Sequence, residues 1–146
     1  MSSKEFEINL VKINPNNNGL YYDVESYKEA LLNVVSPEYS MSNKIVFDYK
    51  YPESKQMFTT VIPNNAVIGK VKSIDFNKNT AVIIINDKHY IDYIDNLGIG
   101  NFRLGFCSIV NTDNNYIKDG HEWFILDTVL YFVLQNKNGT SVGALS

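Results

Sequence analysis

The chain has 146 residues, of which 45% are hydrophobic and 20% charged, and this is the composition of one ordinary globular domain. Asp and Glu number 16 against 13 Lys and Arg, so the formal net charge is −3, and Arg103 is the single arginine. Proteins that bind nucleic acids depend on basic patches that neutralise phosphates. Because the lysines are scattered, the sequence argues against nucleic acid as the main partner.

The sequence also argues against a protein held together by disulfides or cysteine-bound zinc and against a membrane-spanning protein. Cys107 is the only cysteine, so neither an intrachain disulfide nor a cysteine-based zinc site is expected. Its neighbours Phe106 and Ile109 favour a buried apolar residue, with a reactive thiol as the alternative. No apolar run reaches the roughly 18 residues of a membrane span, and the first eleven residues contain no hydrophobic signal core. We therefore expect a soluble chain without a membrane partner.

The first third of the chain predicts one strand and one helix. Residues 6–10 alternate apolar and polar side chains, which is typical of a half-buried strand. Pro15 and Gly19, with three asparagines between them, end this pattern. Residues 24–35 are amphipathic at helical spacing, and Asp23 can cap the N-terminus. We expect this helix to cover one face or end of a sheet.

The middle of the chain is dominated by β patterns. Residues 44–51 alternate and end at Pro52, and residues 56–62 predict a second strand. Residues 67–85 consist of two β-rich runs around a short polar turn, which predicts a hairpin. Gly69 within the first run indicates a bend or a close approach of two backbones.

The last third predicts further strands. A turn at Asn86-Asp87 leads into residues 88–94, which we place in β and turn structure, and residues 102–110 form the next strand. Residues 111–120 are polar and predict a loop. Residues 121–135 are apolar on both alternating faces, which predicts one strand, or two with a bend near Asp127-Thr128. Such a strand needs cover on both faces.

These elements predict a mainly β fold with a minor α component. We expect an antiparallel β-barrel or sandwich with one N-terminal helix covering a face or end. Residues 1–135 form a single β-rich domain, and the small, polar residues 136–146 form a flexible C-terminal tail.

Neither a metal nor a cofactor site is predicted. His89 and His121 lie in different segments, and His121-Glu122 is not completed into the zinc-protease motif. A weak cation site within the polar loop is an alternative to a solvated loop. It would be formed by Asp113, Asn115, Asp119 and Glu122.

No catalytic constellation is recognisable, so the chain is predicted not to be an enzyme. A Gly-x-Ser-x-Gly elbow is missing from the sequence, and Cys107 could meet His121 only through the fold. Asp92 and Asp95 are interpreted as surface residues rather than an acid–base pair. A small hydrolase that uses Cys107 and His121 is the alternative.

The aromatic residues offer the one positive functional signal. The chain has 10 tyrosines, and a tyrosine ring with its polar tip suits interfaces as well as the edges of a β core. The candidate interface residues are Tyr49, Tyr51, Tyr90 and Tyr93.

The hairpin unit of residues 67–75 with residues 81–85 resembles hairpins of small β-barrel and sandwich modules in tailed-phage virion proteins. The aromatic, asparagine-rich chain is similar to accessory capsid proteins of crAss-like phages, over residues 44–135. The resemblance implies a decoration or auxiliary protein of the virion, assembled in the host cytoplasm, that docks on the capsid shell and stabilises it. It also implies an oligomeric assembly with other virion proteins, above all the major capsid protein, and no catalytic residues.

The leading hypothesis is therefore a non-enzymatic structural protein that acts through the surfaces of its β-domain. A β-barrel that binds a small molecule or glycan in an aromatic cavity is the second hypothesis.

Overall fold

A computed structural model of the chain describes residues 3–16, 19–35, 43–47 and 67–136. The described residues form seven strands, two α-helices and one short 3-10 helix. In chain order these are β1 (Lys4–Leu10), β2 (Tyr21–Tyr22), α1 (Val24–Val34), β3 (Lys44–Phe47), β4 (Val67–Asp75), β5 (Thr80–Ile85), α2 (Lys88–Leu97), the 3-10 helix (Ile99–Asn101), β6 (Phe102–Lys118) and β7 (His121–Asn136).

Six of the strands close into a barrel. Neighbouring strands follow the order β7, β3, β4, β5, β1, β6, and β6 pairs back with β7 to close the ring. The two-residue strand β2 pairs with β7 at Tyr21↔Trp123, away from the β3 pairing. The predicted mainly β fold is confirmed, and of the two predicted architectures the barrel is the correct one.

The barrel is mixed, so the prediction of a purely antiparallel sheet is wrong. β1 runs parallel to β6 at Asn9↔Arg103, and β3 runs parallel to β7 at Ile45↔Phe132. The hairpin pairs β4–β5 and β6–β7 are antiparallel because a tight turn joins each of them. The parallel pairs join strands that are far apart in sequence, and no turn fixes their relative direction.

The expectation of a single N-terminal helix is also wrong. A helix does begin after Asp23, whose carboxylate accepts a hydrogen bond from the Ser26 N–H, but α1 follows two strands and is one of two helices. Its buried face includes Tyr27 and Leu31 at the predicted spacing.

The second helix, α2, occupies the segment that we placed in β and turn structure. Asp87 lies in the predicted turn, and its carboxylate accepts a hydrogen bond from the His89 N–H, so it caps a helix instead. Ile91 and Ile94 are the buried residues of α2, three positions apart, and Gly98 ends the helix with φ 89°. In a short segment with few apolar residues, the hydrophobic pattern is compatible with a helix as well as with a strand. Here the Asp87 cap favours the helix.

The predicted β4–β5 hairpin is confirmed. The strands pair from Gly69↔Ile85 to Asp75↔Thr80, and Asn79 in the turn has φ 56°. A Cβ atom built on Gly69 would lie 2.2 Å from the carbonyl oxygen of Ile84. The predicted close approach of two backbones at Gly69 is therefore present.

The polar loop predicted at residues 111–120 is largely strand. β6 continues to Lys118, and the chain turns at Asp119-Gly120, where φ is 53° and 79°. Two residues with positive φ are the signature of a type I′ hairpin turn, for which Asp-Gly is a preferred sequence. The polar, asparagine-rich residues before this turn favoured the prediction of a loop instead. β7 is a single strand over its 16 residues.

Two hydrophobic clusters cover the opposite faces of β7, as its two-sided pattern predicted. The main cluster fills the barrel interior and continues beneath α1, with Phe102, Leu104 and Phe132 each 0% exposed. The smaller cluster consists of Val46, Cys107, Tyr131 and Val133, with Leu130 packed against it.

Several predictions concern residues that the structure does not describe. The strand predicted at residues 56–62 and the tail residues 137–146 lie outside the described ranges. Asn136, the first residue of the predicted tail, is the last residue of β7. Neither described helix is long and apolar enough to cross a membrane.

Candidate functional site

The first candidate site contains two of the four tyrosines predicted for an interface. Tyr90 and Tyr93 lie on α2, and the ring of Phe47 from β3 packs against both, with centroid distances of 5.1 Å and 5.7 Å. With His89 these residues line a pocket of about 190 Å³. We call it the α2 pocket. Tyr49 and Tyr51 lie outside the described residues.

The second candidate site was missed by the sequence analysis. Tyr21 of β2 pairs with Trp123 of β7, and Tyr116 of β6 pairs with the same Trp123, so three aromatic residues lie side by side on three strands. The ring centroids of Tyr21 and Trp123 are 5.1 Å apart, and those of Tyr116 and Trp123 are 6.4 Å apart with nearly parallel planes. His121 stacks on Tyr21 at 4.1 Å. We call these four residues the aromatic row.

The aromatic row is fixed to the start of α1. The hydroxyl group of Tyr116 donates a hydrogen bond to Asp23 Oδ1 over 2.7 Å, and the second carboxylate oxygen accepts the Ser26 N–H that caps the helix. The Asp23 N–H donates to the carbonyl of Phe124, and the Leu126 N–H donates to Ser26 Oγ. Two strands and a helix therefore hold the row in one geometry.

The same contacts change the ionisation of Tyr116 and Asp23. The hydrogen bond to Asp23 is the main cause that raises the pKa of Tyr116. Burial by itself would raise the pKa of Asp23. The pKa of this carboxyl is nevertheless lowered, because hydrogen bonds and a nearby charge outweigh burial. The hydrogen bonds come from the Ser26 N–H and from the hydroxyls of Tyr116 and Ser26, and the charge is that of Lys118. At neutral pH the pair is thus a phenol bound to a carboxylate.

The row lies at the outer end of the β6–β7 hairpin. Among the described residues, β6 pairs with β1 only at residues 103–104, and β7 pairs with β3 only at residues 132–134. We call residues 108–129 the distal ribbon. Lys118 lies over the Trp123 ring at 5.9 Å, and Ile117 beside it is 74% exposed. The distal ribbon thus presents aromatic and aliphatic surface to solvent.

The sequence did contain the signal for this row. Once Asp119-Gly120 is recognised as a two-residue turn, Lys118 must pair with His121, and counting back places Tyr116 opposite Trp123. The contribution of Tyr21 could not be found in this way, because the β2–β7 pairing joins distant segments.

The fold does not bring Cys107 and His121 together. Cys107 pairs with Tyr131 near the barrel, whereas His121 pairs with Lys118 at the hairpin turn. Lys118, the partner of His121, lies eleven positions along β6 from Cys107, which corresponds to roughly 35 Å at about 3.3 Å per residue. Burial raises the pKa of the Cys107 thiol. This geometry does not support a catalytic pair.

The four residues of the alternative cation site are not assembled either. Asn115 Nδ2 donates a hydrogen bond to the Glu122 carboxylate. Within the described ranges, no group of three or more His, Cys, Asp or Glu side chains is placed to hold a metal ion. Asp92 and Asp95 are exposed and form ion pairs with Lys88 and Lys4, at 2.9 Å and 2.7 Å, as expected of surface residues.

No family model, curated protein or solved structure matches the chain. The structural part of the functional argument therefore depends on the geometry described above.

Proposed function

We propose that the chain is a non-enzymatic structural protein of a phage virion, which binds and stabilises the capsid shell or another virion component. Its contact surface is the aromatic row, of which Tyr116, His121 and Trp123 lie on the distal ribbon and Tyr21 on β2. The likeness of residues 44–135 to accessory capsid proteins supplies the class of partner. The aromatic row is the observation that carries the docking function.

The row has the properties of a binding surface rather than of core packing. Trp123 and Tyr21 are half-buried, Tyr116 is 37% exposed, and none of the three belongs to either hydrophobic cluster. Aromatic rings with polar tips are enriched at protein interfaces and supply much of their binding energy. Because the bonds of Tyr116 and Ser26 already fix the row, a partner would not have to order it on binding.

The barrel interior does not favour the alternative of a glycan-binding cavity. Ile8, Ile83, Phe102 and Leu104 point into it and are at most 1% exposed. A small barrel whose interior is filled by side chains leaves no room for a ligand of sugar size. The surface of the described part of the barrel is therefore the better candidate for binding.

Sedimentation with capsid shells tests the proposal. Purified protein is mixed with empty shells of the same virus, and the bound fraction is measured after the shells are pelleted. We expect saturable binding of the wild type and at least tenfold weaker binding of Trp123→Ala, since aromatic interface residues often contribute that much. Light scattering on the free protein gives the oligomeric state to which this affinity refers.

Tyr90→Ala is the matched control because it also removes one partly buried aromatic ring, from the α2 pocket instead. Loss of binding in Tyr90→Ala but not in Trp123→Ala would show that the row is not the contact. A wild-type protein that remains a monomer and does not pellet with the shells would contradict the proposed function itself.

A further inference from the structure

The negative charge of the chain is concentrated on the distal ribbon. Residues 108–129 contain four carboxylates and one lysine, which gives a net charge of −3 with histidine neutral. The whole chain also has a net charge of −3, so all the remaining residues together are neutral. The carboxylates are Asp113, Asp119, Glu122 and Asp127, and all four are exposed.

We infer that the partner surface that receives the aromatic row is basic and bears arginine side chains. This inference rests on the proposed function, because it names the chemistry of the partner that docks on the row. The electrostatic part of the argument is charge complementarity. A ribbon with a net charge of −3 attracts a positive surface over distances of about a Debye length, roughly 8 Å, and repels phosphate-rich nucleic acids and anionic membranes.

The composition of the ribbon favours arginine over lysine on the partner. A guanidinium group stacks on aromatic rings and also forms paired hydrogen bonds with a carboxylate, whereas an ammonium group is a compact, strongly hydrated charge. The tip offers both kinds of surface within a few residues. His121 and Trp123 provide rings on one face of the hairpin, the exposed carboxylate of Asp119 lies in the turn that joins the strands, and the exposed carboxylate of Glu122 lies on the other face.

The ribbon already contains one contact of this kind. The ammonium group of Lys118 lies 5.9 Å from the centroid of the Trp123 ring, so the ring attracts a cation from the chain itself. Lys118 is exposed, so an arginine from a partner can take its place over the ring. The exposed carboxylate of Asp119 in the adjoining turn then offsets the incoming charge, and Glu122 adds to the negative potential of the tip from the other face.

Trp123 is the only tryptophan, so its fluorescence reports directly on the row. The probe is a synthetic peptide of alternating arginine and serine, twelve residues long. The comparison peptide contains citrulline in place of arginine, which keeps the shape and removes the charge. We expect the arginine peptide to change the emission in a saturable manner and the citrulline peptide to bind at least tenfold more weakly. Raising the salt concentration from 50 to 300 mM should weaken arginine-peptide binding severalfold.

Two charge variants test the role of the tip. Asp119→Asn with Glu122→Gln should weaken arginine-peptide binding at least fivefold, and asparagine suits the positive φ of position 119. Glu7→Gln with Asp92→Asn makes the same change of charge on β1 and α2, where both side chains are exposed, and should leave binding unchanged.

Equal binding of the two peptides, or equal weakening by the two double variants, would overturn the inference. So would preferential binding of a glutamate peptide or of a single-stranded oligonucleotide. If shells bind the wild-type protein but the arginine peptide does not change the emission, the basic partner is wrong while the proposed function stands. If the peptide binds and the shells do not, the proposed function is the part that fails.

Discussion

Tyr116 donates a hydrogen bond to Asp23 over 2.7 Å, and this bond joins residues 93 positions apart in the chain. The same carboxylate caps α1 through the Ser26 N–H. One side chain therefore connects the position of the distal ribbon with the start of the helix that packs beneath it. The two should loosen together when this bond is removed.

Tyr116→Phe is expected to lower the melting temperature by a few degrees at neutral pH. The pKa of Asp23 is below its ordinary value of 3.8, so its stabilising contribution is present above that pH and is lost as the pH falls through the lower, folded-state pKa. The difference between wild type and Tyr116→Phe should therefore shrink as the pH is lowered below about 4. Thermal unfolding followed by circular dichroism at a series of pH values measures it. Tyr21→Phe, which keeps the ring that stacks on His121, is the control, and a difference that grows at acid pH would contradict the argument.

Tyr27→Phe should stabilise the protein. The Tyr27 ring is 4% exposed and packs among Tyr22, Phe76 and Phe106, and its hydroxyl has no hydrogen-bond partner among the described residues. A buried hydroxyl without a partner costs about 1–3 kcal/mol, and replacing it with hydrogen removes that cost. Urea unfolding measures the gain in free energy of unfolding.

Tyr22→Phe is the matched comparison, because the two buried rings stack on each other and their hydroxyl groups have different environments. The Tyr22 hydroxyl accepts a hydrogen bond from Asn16 Nδ2 at 2.9 Å, inside the protein. Its removal leaves the amide group of a buried asparagine with one partner fewer, so Tyr22→Phe should lose about 1 kcal/mol. Two variants that shift stability in the same direction would show that the hydroxyl environments do not decide the outcome.

How much of the fold follows from the sequence depends on how local each contact is. The β4–β5 hairpin and the α1 cap were predictable because a turn and the Asp23 side chain determine them within a few residues. The position of β1 between β5 and β6 was not predictable. The alternating pattern of residues 6–10 indicates a strand but not which strands it pairs with or in which direction. For that reason the mainly β class of the fold was predicted correctly and the strand directions were not.

The candidate sites show the same difference between local contacts, which the sequence predicts, and long-range contacts, which it does not. Tyr90 and Tyr93 were proposed for an interface because of their residue type, and the α2 helix that places both beside Phe47 was not foreseen. Tyr116 and Trp123 could have been paired from the Asp119-Gly120 turn alone. Tyr21 joins them only through the fold.

Gly69→Ala should destabilise the protein by about 3 kcal/mol. The new Cβ would lie 2.2 Å from the carbonyl oxygen of Ile84, and a backbone atom within a barrel cannot move aside without disturbing the β4–β5 ladder. Gly100→Ala is the control, because a Cβ there would meet no atom within 4 Å. Denaturant unfolding of both variants gives the difference, and equal stabilities would contradict the close approach.

Cys107 should be unreactive in the folded protein. The residue is 6% exposed in the smaller cluster, and burial raises the pKa of its thiol, so little of the nucleophilic thiolate is present at pH 8. We expect slow reaction with a chromogenic disulfide reagent under native conditions and rapid reaction of one thiol per chain in urea. Rapid reaction of the native protein would restore the thiol-based alternative.

High pH should unfold the protein through its buried tyrosines. Burial raises the pKa of both Tyr22 and Tyr27 above the ordinary value of 10.0. Each hydroxyl ionises more readily in the unfolded chain than in the folded protein. The free energy of unfolding is therefore unaffected below pH 10 and falls as the pH rises toward the folded-state values, by up to about 1.4 kcal/mol per pH unit for each residue. Tyr27→Phe has no hydroxyl to ionise at this position and avoids this loss, so its advantage over the wild type should increase steadily above pH 10. Urea unfolding at pH 7, 10 and 11 measures that advantage, and the pH 7 value serves as the reference. An advantage that stays constant from pH 7 to 11 would mean that Tyr27 ionises in the folded protein as readily as in the unfolded chain.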